Sequence, residues 1–270
     1  HSPAGACSRA QRVSGTLAPD PAAGPDYTGL LSVVVPVHDE ADNVLLLASQ
    51  VHAALGGQAD FELIFVDDGS TDATPARLRQ VCRRFPRVRV LRHRRRCGQS
   101  AALATGVRAA RHPWVATLDG DGQNDPADLP RLLAAVSPGR RPKQLGLVIG
   151  WRQARQDSLL RRISSRVANR VRNRLLRDGV PDTGCGLKVF PRELFLRLPF
   201  FDHLHRFLPA LVRREGMEVL SLPVHHRPRH AGRSKYGLHN RLWAGLVDLL
   251  GVVWLQHRMQ RPEVEAWRPR

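Results

Sequence analysis

The feature that most constrains the fold is an alternation of continuous apolar runs with helical patterns between residues 30 and 152. The runs at 30–37 and 61–68 lack polar alternation, which is typical of strands buried on both faces of a sheet. Repeated strand–helix pairs of this kind predict an α/β domain with a mostly parallel sheet and right-handed crossovers. The predicted strands are 30–37, 61–68, 87–93, 113–121 and 144–152, and the predicted helices between them are 40–55, 70–85, 98–111 and 125–136.

The second half of the chain contains neither an internal repeat nor a second apolar core pattern. We therefore expect one domain, residues 29–237, between a disordered N-terminal lead, 1–28, and a C-terminal amphipathic helix with its tail, 238–270. The predicted helices of this half are 158–177, 192–198, 203–216 and 238–256, and the predicted strands are 186–190 and 217–227.

Acidic turns follow two of the predicted strands, with the sequences DDGSTD (67–72) and DGDGQND (119–125). In parallel sheets, ligands bind outside the carboxyl ends of the strands. Asp119 and Asp121 place two carboxylates on one turn, and Mg²⁺ typically takes one or two carboxylates together with substrate phosphates. Because Gly and Asp are also ordinary turn residues, a D-x-D pair alone would indicate only a turn.

Three ordered segments resemble the motifs of the family 2 glycosyltransferases of the GT-A fold. They read PVHDEADN (36–43), VDDGSTD (66–72) and DGDGQ (119–123). His38 and Asp39 stand where Tyr and Asn are commoner in that family. The resemblance covers about residues 30–240 and implies a Rossmann-like α/β domain whose mostly parallel sheet is flanked by helices.

The same resemblance implies a nucleotide-sugar donor, GDP-mannose or a UDP-hexose, and a metal cofactor, Mg²⁺ or Mn²⁺. The implied metal ligands are Asp119, Asp121 and Gln123. Asp68 is also predicted to brace its turn, and Ser70 to cap the helix that follows. The implied donor-binding residues are Pro36, Val37, Glu40, Asp67, Asp68, Asp119, Gly120 and Lys235.

The second half resembles the dolichol-phosphate mannose synthases and their bacterial polyprenyl-phosphate relatives. The resemblance rests on Arg152 at a strand end, an R-x-x-x-S pair at Arg161 and Ser165, and R-x-x-G-x-S-K at 229–235. The gap between Arg152 and Arg161 is shorter than in some relatives. The groups implied to bind the phosphate of a polyprenyl phosphate acceptor are Arg152, Arg161, Ser165, Arg229, Ser234 and Lys235. The residues implied to be catalytic are Asp121, Arg152, Arg161 and Arg229.

Residue chemistry independently favours a phosphate acceptor. Residues 152–178 contain nine Arg and two Asp, and the guanidinium fork donates parallel hydrogen bonds to phosphate. A hydroxyl acceptor needs a positioned general base, whereas a phosphate monoester is largely ionised at neutral pH. Asp182 remains open, either as a brace for its loop or as a group that meets the substrate.

The net charge of +18 indicates phosphate-rich partners, although Arg makes up 39 of the 42 basic residues and codon usage explains such a skew equally well. Aromatic residues are 6% of the chain and no nucleic-acid-binding motif is present, so we expect no nucleic-acid partner. The four Cys lie far apart, which fits neither a disulfide framework nor a zinc motif. His203 and His205 are predicted to be structural.

No apolar run reaches the length of a membrane-spanning helix. The segment 242–255 is apolar apart from Asp248, and Trp243 and Trp254 with flanking Arg residues predict a helix lying in a membrane interface. Packing of this helix on the domain, or on a small membrane subunit, is the open alternative. We expect a peripheral protein at the cytoplasmic face of a membrane, attracted to anionic lipid.

The sequence thus predicts a metal-dependent, inverting glycosyltransferase that moves a sugar to polyprenyl (undecaprenyl or dolichyl) phosphate. The alternative is a family 2 enzyme with a hydroxyl acceptor in polysaccharide or glycolipid synthesis. No Q-x-x-R-W motif of processive synthases is present. A nucleic-acid-binding protein and a scaffold with an inactive site are the remaining hypotheses.

Overall fold

A computed structural model describes residues 27–139, 144–152, 172–228 and 238–258. Its core is a seven-stranded sheet in the order β3-β2-β1-β4-β6-β5-β7. Strand β6 runs antiparallel to both of its neighbours, and the other pairs are parallel. The predicted mostly parallel α/β sheet is therefore confirmed. The strands are β1 (Leu30–Val37), β2 (Asp60–Asp67), β3 (Val88–Arg92), β4 (Trp114–Thr117), β5 (Leu145–Arg152), β6 (Lys188–Pro191) and β7 (Glu218–Val224).

Helices cover both faces of this sheet. Residues 172–176 are helical, and the rest of the helix predicted at 158–177 lies outside the described residues. A short 3₁₀ turn, Pro126–Asp128, precedes α4. The other helices are α1 (Val44–Leu55), α2 (Thr74–Arg84), α3 (Gln99–Ala109), α4 (Leu129–Ala134), α5 (Arg192–Arg197), α6 (Leu204–Arg214) and α7 (Leu238–Arg258).

Small residues allow α3 to lie directly on the sheet. Ser100, Ala102, Ala104 and Gly106 are buried along this helix. A Cβ added at Gly106 would overlap the side chain of Val34 on β1, so only glycine permits this approach. The close contact sets how near α3 lies to β1 and β2.

The C-terminal helix α7 packs on the domain with one face only. Leu249 and Val252 join the core that includes α3 and α6, and His203 Nδ1 lies 2.8 Å from the Asp248 carboxylate. The opposite face leaves four apolar side chains exposed: Leu246, Val247, Leu250 and Trp254. Among the described residues, no helix combines the length and the apolar character needed to cross a membrane.

The packed domain reaches back to Tyr27, inside the segment predicted as a lead. Tyr27 is buried, and its ring meets Trp114 edge-on at a centroid distance of 6.3 Å. Residues 1–26 of that predicted segment lie outside the described residues.

Candidate active site

The carboxyl ends of β1 and β4 meet through a glycine. A Cβ at Gly120 would lie 2.6 Å from Val37 Cγ1 and 2.8 Å from the Pro36 carbonyl oxygen. The turn after β4 therefore rests directly on the end of β1. Three of the residues predicted to bind the donor, Pro36, Val37 and Gly120, are thereby brought together.

The turns after β1 and β2 are joined by hydrogen bonds. The Asp39 N–H donates to Ser70 Oγ over 2.9 Å, and the Glu40 N–H donates to Thr74 Oγ1 over 2.8 Å. The Glu40 carboxylate in turn accepts from Asn43 Nδ2 at 2.6 Å. Glu40, a predicted donor-binding residue, is therefore held in place at the sheet edge.

Ser70 does not cap α2, so that prediction is wrong. The helix begins at Thr74, whose N–H donates to Asp72 Oδ1 over 2.8 Å. The Ser70 hydroxyl is directed instead to the neighbouring turn. The side chains of Ser70 and Asp72 accept hydrogen bonds from backbone N–H groups of the turns. The helix therefore starts four residues later than the pattern predicts.

Asp67 and Asp68 have separate roles. Asp67 is fully buried, and its Oδ1 accepts from the Ser70 N–H at 2.9 Å. Its Oδ2 lies 3.1 Å from Arg92 Nε but accepts no hydrogen bond within the described part of the chain. Asp68 accepts from the N–H groups of Cys97 and Gly98, each at 2.8 Å. Asp68 therefore braces the β3–α3 loop, residues 93–98, and its donor-binding role stays a prediction.

The D-x-D segment forms a structured turn, which we call the acidic turn (119–125). The Asp119 N–H donates to Asn124 Oδ1 over 3.1 Å, and Asp121 Oδ1 accepts from the Gln123 N–H at 3.1 Å. Gln99, at the N-terminus of α3, donates to Asp119 Oδ1 over 2.8 Å. The three predicted metal ligands thus lie on one ordered turn that faces a helix N-terminus.

The Asp119 carboxylate is closely surrounded. A Cβ at Gly186 would overlap that carboxylate, so this position requires glycine. Burial, followed by the charge of Asp121, raises the pKa of Asp119 from 3.8 to about 6. The charges of Lys188 and Arg152 and the Gln99 hydrogen bond act in the opposite direction. A bound cation would act in the same direction as Lys188 and Arg152 and stabilise the ionised carboxylate.

Lys188 is a site residue that the sequence analysis missed. It lies on β6 opposite Thr117 and is buried, with Nζ donating to the Cys185 carbonyl oxygen. Burial lowers its pKa below the ordinary value, while the charges of Cys185, Asp119 and Asp182 oppose that shift. The signal in the sequence that could have identified this residue is a lysine inside the otherwise apolar strand GLKVF (186–190).

Arg152 and Asp182 form a bidentate pair. Arg152 Nε lies 2.6 Å and its Nη2 2.9 Å from the two carboxylate oxygens of Asp182. Burial alone would lower the pKa of Arg152, but the hydrogen bonds and charge of Asp182 outweigh burial, so the pKa lies above its ordinary value. Asp182 also accepts from the Gly184 N–H at 3.2 Å. Asp182 therefore orients Arg152 and braces its own loop.

Residues 225–227 are anchored on and just after the acidic turn. The Arg227 N–H donates to the Gln123 carbonyl over 3.0 Å, and its guanidinium lies 2.6 Å from Asp125. The His225 N–H donates to the Asp128 carboxylate over 2.7 Å. The remaining predicted acceptor and catalytic residues, Arg161, Ser165, Arg229, Ser234 and Lys235, lie outside the described residues.

The two histidines of α6 and its N-cap have structural partners. His203 contacts Asp248, and His205 Nδ1 lies 2.8 Å from Ser100 Oγ. Burial holds the pKa of His205 well below its ordinary value, so the imidazole is neutral. The predicted structural role of both residues agrees with these contacts.

Residues 32–198 match the profile described as Glycosyl transferase family 2. The chain belongs to this family. This family 2 glycosyltransferase is 37% identical over 237 residues to the dodecaprenyl-phosphate galacturonate synthase of Rhizobium johnstonii, covering 86% of this chain and 69% of that protein. It is 34% identical over 211 residues to the undecaprenyl-phosphate 4-deoxy-4-formamido-L-arabinose transferase of Edwardsiella ictaluri, covering 77% and 63%. The chain thus spans roughly two thirds of the length of these relatives.

Among solved structures, the glycosyltransferase resembles glucosyl-3-phosphoglycerate synthase from Mycobacterium tuberculosis, crystallised with Mn²⁺, uridine diphosphate and glucosyl-3-phosphoglycerate. The TM-score is 0.62 at 21% identity, over 85% of this chain and 80% of that one. This likeness identifies the fold of the family 2 enzyme as GT-A.

Proposed function

We propose that this enzyme is a metal-dependent, inverting glycosyltransferase that moves a sugar from a nucleotide-sugar donor to polyprenyl phosphate. The observation that carries the proposal is the juxtaposition of the acidic turn with the cations Lys188 and Arg152 at one sheet edge. The relatives whose names specify dodecaprenyl or undecaprenyl phosphate support the acceptor class.

The acidic turn suits a divalent cation. Its implied ligands, Asp119, Asp121 and Gln123, offer only oxygen atoms from their side chains, and carboxylate and carbonyl oxygens favour Mg²⁺ or Mn²⁺. Burial and the charge of Asp121 raise the pKa of Asp119 despite Lys188 and Arg152, so a bound cation would stabilise the ionised carboxylate. When bound, the metal would neutralise charge on the diphosphate of the donor.

The ends of β1 and β2 are proposed to hold the nucleoside of the donor, which is a GDP- or UDP-sugar. Pro36 and Val37 form the floor beneath the acidic turn, and Glu40 offers a carboxylate fixed by Asn43. Asp67 keeps one carboxylate oxygen that accepts no hydrogen bond within the described residues. These groups can accept hydrogen bonds from the base and the ribose.

Transfer to a phosphate needs positioned cations more than a base. A phosphate oxygen of the acceptor attacks the anomeric carbon while the bond to the nucleoside diphosphate breaks and the leaving group takes the electron pair. The acceptor phosphate is largely ionised at neutral pH, since its second pKa is about 6. A hydroxyl acceptor would need a general base, and Asp182 is engaged in the pair with Arg152.

The proposed test is a transfer assay with labelled GDP- and UDP-sugars, Mn²⁺ and a short-chain polyprenyl phosphate, with label counted in the organic phase. Metal-dependent labelling from one donor supports the proposal and identifies the sugar. Arg161→Ala should abolish labelling while donor binding persists, and the exposed control Arg174→Ala should label normally. Bound donor without any lipid labelling contradicts the proposal and favours a hydroxyl acceptor.

The outer face of α7 is proposed to lie on an anionic membrane surface at its cytoplasmic face, where the acceptor resides. Leu246, Leu250 and Trp254 follow one another at helical spacing, and Arg258 ends the helix. The change Leu250→Glu should reduce flotation with anionic vesicles, whereas Glu218→Gln, on β7, should not. Equal flotation of both variants contradicts lipid binding by this face.

A further inference from the structure

Three chemically different side chains meet at the β3–α3 loop. Asp68, His93 and Cys97 each place one potential ligand atom within 4.8 Å of the others. Asp68 is buried, His93 is half-buried and Cys97 is exposed, so the cluster is closed on the protein side and open towards solvent. None of the three belongs to the acidic turn.

The His93 ring is already oriented as a ligand would be. Its Nδ1 lies 2.8 Å from Asp68 Oδ1, and its Nε2 lies 2.9 Å from Thr105 Oγ1 on α3. Metal-bound imidazoles normally donate their other ring N–H to an oxygen acceptor, which fixes the tautomer. Thr105 supplies that acceptor.

The Asp68 carboxylate is fixed by backbone. Its Oδ2 accepts from the Gly98 N–H and its Oδ1 from the Cys97 N–H, both at 2.8 Å. The second bond holds the Cys97 backbone beside the carboxylate. The thiol donates to the Arg95 carbonyl oxygen at 3.3 Å, and its sulfur already lies within 4.8 Å of the other two ligand atoms.

The loop itself is supported from beneath. A Cβ at Gly69, whose φ is 68°, would lie 2.6 Å from backbone atoms of Arg95 and Arg96. The turn after β2 and the β3–α3 loop are therefore in direct backbone contact. Such support keeps the ligand atoms near one another without a bound ion.

We propose that Asp68, His93 and Cys97 form a second metal site, selective for a cation such as Zn²⁺. Thiolate, imidazole and carboxylate together favour Zn²⁺, whereas the oxygen-only acidic turn favours Mg²⁺ or Mn²⁺. Three protein ligands leave a fourth tetrahedral position for water. Binding releases the thiol proton to solvent, and the metal-bound imidazole carries its one proton on Nε2, facing Thr105 Oγ1.

The ligand charges suit a divalent cation. A thiolate and a carboxylate together neutralise a divalent ion, so the filled site carries no net charge beside Arg94, Arg95 and Arg96. The bound ion would join the turn after β2 to the β3–α3 loop. This inference concerns binding alone and is independent of the proposed transferase activity.

The test is a Co²⁺ titration followed by absorption spectroscopy. Cobalt bound through a thiolate has a near-ultraviolet charge-transfer band, whereas cobalt on the oxygen ligands of the acidic turn has none. We expect the band to saturate at one equivalent in the wild type. It should be absent in Cys97→Ser and retained in Cys82→Ser, a matched change on α2.

A Zn²⁺ competition with a chromophoric chelator gives the affinity. We expect Cys97→Ser and His93→Gln each to weaken binding by at least about tenfold, while Asp121→Asn leaves it unchanged. Because Cys97 is exposed, its serine variant should retain the wild-type circular dichroism and Tm. A wild type without the band, or a band that persists in folded Cys97→Ser, overturns the proposal.

Discussion

Asp119 lies beside a second carboxylate, whereas Arg152, two strands away in the sheet, lies against a carboxylate that matches it. Burial and the charge of Asp121 outweigh Lys188 and Arg152 there, so a cation from solution would stabilise the ionised Asp119. The Arg152–Asp182 pair is already neutral, so a phosphate reaching Arg152 has to compete with Asp182. Under the proposed function, the acidic turn would bind a metal ion, and Arg152 would exchange Asp182 for the acceptor phosphate.

The largest expected effect is on catalysis through the acidic turn. Asp121→Asn should lower kcat/KM by about 10³-fold, because loss of a metal ligand removes several kcal/mol of charge stabilisation. Steady-state transfer rates with saturating Mn²⁺ provide the measurement. Asp42→Asn, an exposed acid near the same edge, is the control and should keep wild-type rates. Activity in Asp121→Asn near that of the control would exclude a role of Asp121 as a metal ligand.

The second prediction concerns the Arg152–Asp182 pair. Arg152→Ala should lower the free energy of unfolding by about 3 kcal/mol, because Asp182 is then left largely buried without its partner. The double variant Arg152→Ala/Asp182→Asn should recover most of that stability in urea denaturation. It should not recover transfer, since the guanidinium is still missing. Recovery of both would show that Arg152 acts only as a structural partner of Asp182.

Lys188 connects the two halves, and a smaller effect is expected there. Lys188→Met removes a cation that lowers the pKa of Asp119, so protons should compete more strongly with Mn²⁺, and Mn²⁺ binding should be lost at a higher pH than in the wild type. Calorimetric titration of Mn²⁺ measures this change. Lys143→Met, away from the site in sequence, provides the lysine control. Equal affinities in the two variants would exclude electrostatic support by Lys188.

The smallest effect is a pH dependence of stability. The raised pKa of Asp119 means that the folded metal-free protein holds this proton more tightly than the unfolded chain does. Its contribution to stability is therefore lost as pH rises from about 4 to above about 6, which lowers Tm by a few degrees. Scanning calorimetry without metal should show this decrease, and saturating Mn²⁺ should reverse it. Asp119→Asn should lack this component of the pH dependence.

The local patterns predicted the first strands and helices of the chain closely. Strand β1 occupies residues 30–37 as predicted, because a continuous β-branched run between turn residues has few alternatives. Helices α1 and α2 each begin four residues later than predicted, at Val44 and Thr74. Side chains before them bond across to the neighbouring turn, and no local pattern encodes such a partner.

The other half depends on contacts between distant residues. The sequence predicts Arg152 as a cation for phosphate, but its pairing with Asp182, 30 positions later, is not visible in any motif. Lys188 and Gly186 reach Asp119 only because β6 runs antiparallel beside β4. That strand direction breaks the regular alternation from which the rest of the sheet was predicted.

The position of β6 also sets an order in which the molecule can be assembled. Strands β3, β2, β1 and β4 are contiguous in the sheet and are complete once residue 117 has been made. Strand β5 joins them only through β6, so it must wait for residues 188–191. During synthesis from the N-terminus, the carboxylates of the acidic turn are therefore in place before Lys188 exists. The compensating charge of Lys188 therefore reaches this edge only after five of the seven strands have been made.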